Sequence, residues 1–176
     1  MTTKPLVGGP TAAEERLHRM VVASDGSTTS LLESYLDEPL RVEVLPQRPA
    51  RAGEAAAWPE QPLTPELLVR YSTLVGAHTG TVAAYARCLI AVDRLPAAAR
   101  ADISRGDELI GRALRAHRVE QHREILAEGR GRPPATLTGP EHPDLPWRTV
   151  LIVVGGAPAM LITEWFRLSG PDTTDG

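Results

Sequence analysis

The sequence predicts an α+β fold, a single domain built on an antiparallel sheet with its helices in separate runs. Two hairpins carry that prediction. Residues 67–75 and 81–92 alternate with period two on either side of Gly76-Ala77-His78-Thr79-Gly80, a hairpin connection. Residues 148–154 and 158–166 form the other, turning at Gly155-Gly156-Ala157. The third observation is that single strands do not alternate with single helices, as a parallel sheet would require.

Each element has a local reason. Thr11 caps a first helix, and Glu14 completes a capping box. Leu17, Met20 and Val21 share one face of it, and Asp25-Gly26 ends it. Ser27 or Thr28 caps a second short helix carrying Leu31, Leu32 and Tyr35. After Glu38-Pro39 the period changes, and Leu40, Val42 and Val44 alternate with Arg41, Glu43 and Leu45 as a half-buried strand. Residues 47–62 are rich in Pro, Ala, Arg and Glu and read as a linker or surface loop. In the strand over 67–75, Leu68, Arg70, Ser72 and Leu74 line one face, and Val69, Tyr71, Thr73 and Val75 the other. In the next strand Tyr85, Arg87 and Leu89 share a face. Residues 96–101 suggest a short helix, and Asp107-Glu108 opens another through Ile110, Ala113 and Leu114. Residues 119–127 are ambiguous by pattern, and 129–144 read as a Gly/Pro-rich loop. Residues 1–10 and 170–176 read as disordered ends.

The 176 residues suit one domain, 1–176, large enough to need no disulfide or metal staple. The net charge, 19 − 22 = −3, gives no electrostatic case for nucleic acid or an anionic membrane. Cys88 is the sole cysteine, which excludes a disulfide framework and a Cys-based zinc site. Residues 1–10 lack the apolar core of a signal peptide. The apolar run over 150–162 is short and broken by two glycines and a proline, so it does not span a bilayer. A cytoplasmic protein, monomeric or homodimeric, is the expectation.

Few patterns carry chemistry. His18, His78, His117, His122 and His142 show no metal-ligand spacing, so no metal site is expected. There is no phosphate loop and no GxSxG. Cys88 reads as a buried, inert thiol. Arg112, Arg115, Arg118 and Arg123 interleave with Glu120, Glu124 and Glu128, the pattern of a solvated, salt-bridged face in which Glu124 pairs with an arginine. Arg70 and Glu164 differ, because each is a charge within an apolar strand. Glu164 shares a face with Ile162 and Phe166. If that face is buried, the carboxyl is either paired or kept neutral, and a neutral carboxyl in an apolar pocket is a general acid. Alternatively, Arg70 and Glu164 form a buried structural ion pair, or both face water.

Five segments, in order, resemble the chorismate pyruvate-lyase (4-hydroxybenzoate synthase) family, in its actinobacterial branch. They are Asp25-Gly26-Ser27-Thr28-Thr29 with Leu31-Leu32-Glu33, the strand ending VEVLPQR, YARCLIAVDRLPAAAR, DELIGRAL and GGAPAMLITEWF. The resemblance covers about residues 12–168. It implies a chorismate lyase-like antiparallel sheet, flanking helices and an internal ligand cavity closed by helical flaps. It also implies a small-molecule substrate and a reaction, removal of pyruvate from chorismate to leave 4-hydroxybenzoate, that needs no cofactor. Arg70 matches the arginine that grips the ring carboxylate, and Glu164 the glutamate that acts on the ether oxygen as general acid. Ile110 falls where an apolar residue packs on the ring, and Thr28 where a flap residue covers it. Arg87, Gly111 and Arg148 complete the implied substrate-binding set. The resemblance makes 119–127 a strand, against the helical look of Glu120-Gln121-His122-Arg123-Glu124.

The chain also departs from the family pattern. The family's penultimate strand carries alternating arginines, but here Arg148 is followed by the apolar 150–154. A turn position that is often polar is Ala157, and Thr28 replaces a methionine. These departures admit a repurposed lyase or cyclase for another secondary-metabolism intermediate, or a non-catalytic small-molecule-binding module.

Overall fold

The structure, a computed structural model, describes residues 12–59 and 66–168. The Thr11 cap and the two ends expected to be disordered lie outside the described residues. Strands β1 (Leu40–Val44), β2 (Arg48–Pro49), β3 (Leu67–Gly76), β4 (Val82–Ala91), β5 (Gln121–Gly131), β6 (Leu145–Val154) and β7 (Ala157–Phe166) form one antiparallel sheet. Its order is β1-β3-β4-β7-β6-β5, with β2 also paired to β3. Helices α1 (Ala12–Ala23), α2 (Thr28–Leu36), α3 (Ala52–Ala55), α4 (Ala97–Arg105), α5 (Ile110–Ala116) and α6 (Ala135–Thr138) are the α-helices of the described residues.

Both expected hairpins form, and their turns set the register that places the site. Gly155 and Gly156 sit at φ +58° and +80°, so the two-residue turn needs glycine at both positions. It aligns Arg148 with Glu164 and Val150 with Ile162. The neighbouring pairings set Ala86 opposite Glu164 and Cys88 opposite Ile162, then Ser72 opposite Ala86 and Arg70 opposite Cys88. Two side-chain rows therefore cross the same sheet face. One runs Ser72, Ala86, Glu164, Arg148, and the other Arg70, Cys88, Ile162, Val150.

Helices cover that face. Val21 of α1 and Leu32 of α2 pack against Leu74, Ala84 and Phe166. Ile103 of α4 and Leu114 of α5 pack against Ile90, Ile152 and Met160. Burial of a side chain of this size contributes about 1.5–3 kcal/mol. On the opposite face Trp58, only 2% exposed, packs with Ala55 on Val69, Leu89 and Leu161.

The segment over 47–62 is thus more than a surface loop. It supplies β2, α3 and the Trp58 anchor, and a single buried aromatic among polar and small residues leaves no periodicity to read. Residues 119–127 belong to a strand, β5, which runs on to Gly131. This edge strand pairs with β6 alone and is largely exposed. A bulge between Ile125 and Ala127 turns Leu126 to solvent. With little apolar surface buried, no period-two pattern survives there. The expected loop over 129–144 also holds α6. Helix α5 starts at Ile110, later than Asp107, and its N-cap Leu109 has no side-chain cap bond. No helix of the described residues is long and apolar enough to cross a membrane.

Candidate active site

A cavity lies between the covered face of the sheet and the N-terminal ends of α2 and α5. Its floor is Arg70 and Ser72 of β3, Ala86 and Cys88 of β4, and Ile162 and Glu164 of β7. Thr28, Thr29, Ile110 and Gly111 roof it. Ser72 and Ala86 are small, so the floor is open beside Glu164. The space is partly open at its mouth. Gly111 keeps α5 close to α2, because a Cβ there would sit 3.2 Å from the Thr29 hydroxyl.

Arg70 is 1% exposed. Its Nη2 donates to the Glu108 carbonyl at 2.6 Å and its Nη1 to the Ile103 carbonyl at 3.4 Å. Its Nε is buried without a partner. No carboxylate pairs with it among the described residues. Burial pulls its pKa below the ordinary arginine value, while Cys88, Asp107 and Glu108 oppose that. A guanidinium remains charged even so. This is a desolvated cation facing a cavity with hydrogen-bonding capacity unused.

Glu164 is also buried, but it is not the isolated carboxyl that a neutral acid in an apolar pocket requires. Its Oε2 accepts from Arg148 Nε at 3.0 Å and from the Thr28 hydroxyl at 3.1 Å. Nor does it pair with Arg70, since the register sets Arg148 directly opposite it. Arg148, 1% exposed, does not line the cavity and so is not placed to bind a substrate. Its Nη2 donates to Thr28 Oγ1 at 2.8 Å, and its Nη1 donates to carbonyls of Val21 and Val22 at 2.9 and 3.3 Å and to that of Ser24. Its guanidinium also lies over the Phe166 ring, 5.5 Å from the centroid. Arg148 thus ties the end of α1 and the start of α2 to Glu164 from behind.

Five of the expected site residues meet at this cavity: Arg70, Glu164, Thr28, Ile110 and Gly111. Arg87 does not. Strand periodicity points it to the opposite face, between its cross-strand neighbours Tyr71 and Thr163. Cys88 lines the cavity, and burial pushes its thiol up to about 12, so it is a neutral wall rather than a nucleophile. No histidine lines the cavity. Among the described residues no cluster of His, Cys, Asp or Glu is arranged to hold a metal ion.

The basic run divides in space. Arg112 pairs with Glu33 at 2.9 Å and Glu108 at 3.4 Å. Glu124 is exposed and makes no ion pair among the described residues, so the expected surface bridge is not formed. Arg123 turns inward and lines the cavity mouth. The sequence hides this, because Arg123 is distinguished from its charged neighbours only once β5 is known to be a strand with Arg123 and Ile125 on the covered face.

A model of the chorismate pyruvate-lyase Rv2949c-like family matches residues 22–169. The chain belongs to that family. The match spans both roof helices and all seven strands, and therefore the whole site. A protein of Mycobacterium leprae (strain TN) named chorismate pyruvate-lyase is 28% identical over 173 residues, 96% of this chain and 82% of that one. One of the same name from Mycobacterium tuberculosis (strain ATCC 25618 / H37Rv) is 27% identical over 158 residues, 86% of this chain and 79% of that one. Among solved structures, PhnF from Mycobacterium smegmatis aligns with a TM-score of 0.57 at 11% identity over 82% of this chain. A possible transcriptional regulator, YydK from Bacillus subtilis, aligns at 0.50 and 10% over 74%. The chain spans 65% and 59% of those two chains, and the likeness is one of fold alone.

Proposed function

We propose that the protein eliminates pyruvate from chorismate and releases 4-hydroxybenzoate, with Arg70 and Glu164 as the residues that act on the substrate. The observation that carries this reading is Arg70, a buried cation without a carboxylate partner, sharing a cavity with a buried glutamate. A ring carboxylate supplies the charge that Arg70 lacks, held bidentately by the guanidinium fork. Ile110 from above and Ile162 from below give the ring apolar surfaces.

Glu164 then handles the proton. The ring carbon bearing the hydroxyl loses its proton to the Glu164 carboxylate, and the C–H electron pair becomes a ring double bond. The adjacent C–O bond breaks, and its pair leaves on the enolpyruvyl oxygen. The proton on Glu164 passes to that enolate oxygen, and the enol becomes pyruvate. Glu164 is base first and acid second, which fits a paired carboxylate better than a permanently neutral one. Arg148 and the Thr28 hydroxyl orient it throughout. Aromatisation drives the step, so positioning and one proton shuttle suffice.

The test follows pyruvate and 4-hydroxybenzoate together from chorismate. Equal amounts support the reading, and Glu164→Gln should lower kcat by about 10²–10⁴-fold. Wild-type turnover in Glu164→Gln removes its role. Neither product from folded wild-type protein, with thermal protection by another carboxylic acid, turns the reading to a repurposed cavity. The apolar 150–154 stretch is the feature that would accompany such a change.

A further inference from the structure

We propose that Arg123 binds the second carboxylate of a dicarboxylate substrate at the mouth of the cavity. This rests on the reading that the substrate is chorismate, whose enolpyruvyl arm carries that second carboxylate.

Arg70 and Arg123 are the two cations lining the cavity, and Glu164 is the one acid there, among the described residues. Arg148 is excluded because its donors are engaged elsewhere. Arg123 Nη1 donates to the Gly26 carbonyl at 2.8 Å, which anchors the side chain at the entrance to α2. Its remaining donors have no protein partner among the described residues, and it forms no ion pair. It is half-buried, and burial draws its pKa below the ordinary arginine value, with Glu164 the leading opposing influence. The guanidinium is therefore partly desolvated and within electrostatic reach of the acid, yet uncommitted.

The sheet order supplies the geometry. Glu164 lies on β7, two strands from Arg70 on β3 and two from Arg123 on β5. Neighbouring strands are about 4.8 Å apart, so the two outer strands stand about 19 Å apart. Two arginine side chains reaching inward from those strands bracket a space suited to one ring and its substituents. The register sets Arg123 opposite Ile152 and Arg70 in the row of Ile162, so a ligand with a carboxylate at each end would cross β7 over Ile162, in the cavity that Glu164 also lines. In chorismate the scissile C–O bond lies between the two carboxylates.

Arg123 also lines an outer basin with Arg115, Arg118 and the acids Asp25 and Glu120. Arg115 Nη2 donates to the Ser27 hydroxyl at 3.0 Å. Arg118 has φ +51°, left-handed backbone that a non-glycine residue rarely adopts. Three arginines against two carboxylates leave the basin a small positive excess, with Arg123 at its junction with the cavity.

The test compares two stable probes by isothermal titration calorimetry. One is 3-(carboxymethoxy)benzoate, whose ether oxygen is meta to the ring carboxylate, as in chorismate, and carries a second carboxylate. The other is 3-methoxybenzoate, which lacks the outer carboxylate. The wild type should prefer the dicarboxylate. Arg123→Gln should weaken the dicarboxylate by roughly 10- to 100-fold, the loss of one charge-assisted contact, and leave the monocarboxylate nearly unchanged. Arg123→Lys should recover part of the preference. Equal weakening of both probes would mean that Arg123 only braces the Gly26 turn, and would overturn the proposal. So would a wild type that shows no preference or binds neither probe. Turnover of chorismate by the wild type separately decides the functional reading. A retained probe preference without turnover would leave Arg123 a carboxylate site in a cavity with a different substrate.

Discussion

Arg70 and Arg148 occupy equally deep positions on one face of one sheet, each 1% exposed. Their surroundings differ in kind. Beneath the end of α1, Arg148 meets a carboxylate, a hydroxyl and carbonyls of the α1 C-terminal turn. Beneath α4 and α5, Arg70 meets two carbonyls and no carboxylate, and its Nε has no partner. Burying a charge costs several kcal/mol unless partners compensate. The Arg148 locus is closed and structural. The Arg70 locus is incomplete until an anion arrives. Equal burial of the same residue type thus has opposite meanings, and the partner inventory distinguishes them.

The sharpest way to break this comparison is to remove each charge. Arg148→Met should cost about 3–5 kcal/mol of unfolding free energy in urea, because it strands Glu164 without its cation. Arg70→Met should leave stability unchanged or raise it, as removal of an uncompensated buried charge does, while abolishing 4-hydroxybenzoate binding. A comparable stability loss in both variants would erase the distinction.

The opposite face gives a milder test. There Arg48 grips Glu54 with two bonds of 2.8 Å, and the Tyr71 hydroxyl and the Arg51 amide also donate to it. The Arg48 hydrogen bonds are the main reason that the Glu54 carboxyl is held at about 2. A depressed carboxyl stabilises the fold above its unfolded value near 4.5, and that contribution drains away as pH falls toward about 2. Urea titrations between those limits should show a steeper loss for wild type than for Glu54→Gln. Equal slopes would mean that the Arg48–Glu54 pair contributes nothing.

The smallest effect belongs to Arg87, which shares the sheet with Arg70 but faces away from the cavity. Arg87→Ala should alter transition-state binding of chorismate by no more than about 0.5 kcal/mol, read from kcat/KM. A larger loss confined to KM would restore it to the binding set.

Much of this arrangement was legible from the residues. The two hairpins announced themselves through period two and glycine turns, and they fixed which residues share a face with Arg70 and Glu164. The resemblance to the family brought Thr28, Ile110 and Gly111 to the same cavity. What strand patterns do not carry is contact between distant elements. The β6–β7 hairpin sets Arg148 opposite Glu164, but the α1 carbonyls that also hold Arg148 come from a distant element and leave no local signal. Arg87 entered the expected set through the resemblance alone, and strand periodicity turns it away from the face that holds Arg70 and Glu164. Arg123 was obscured for a different reason. It sits among alternating charges that resemble a solvated surface, and only the fold of the edge strand turns it inward.

That edge strand has a mechanical consequence. Arg70 and Glu164 stand on strands flanked on both sides, whereas β5 is hydrogen-bonded to β6 alone and is interrupted by a bulge at its middle. Segments with few buried contacts open at lower free energy than a sheet interior, and their amides exchange with solvent sooner. The inner wall of the cavity is therefore stiff and the outer wall compliant. An entering molecule can displace the rim without straining the strands that align the reacting atoms. The exposed charges and the bulge of β5 meanwhile keep that compliant margin from pairing with a stray strand of another chain.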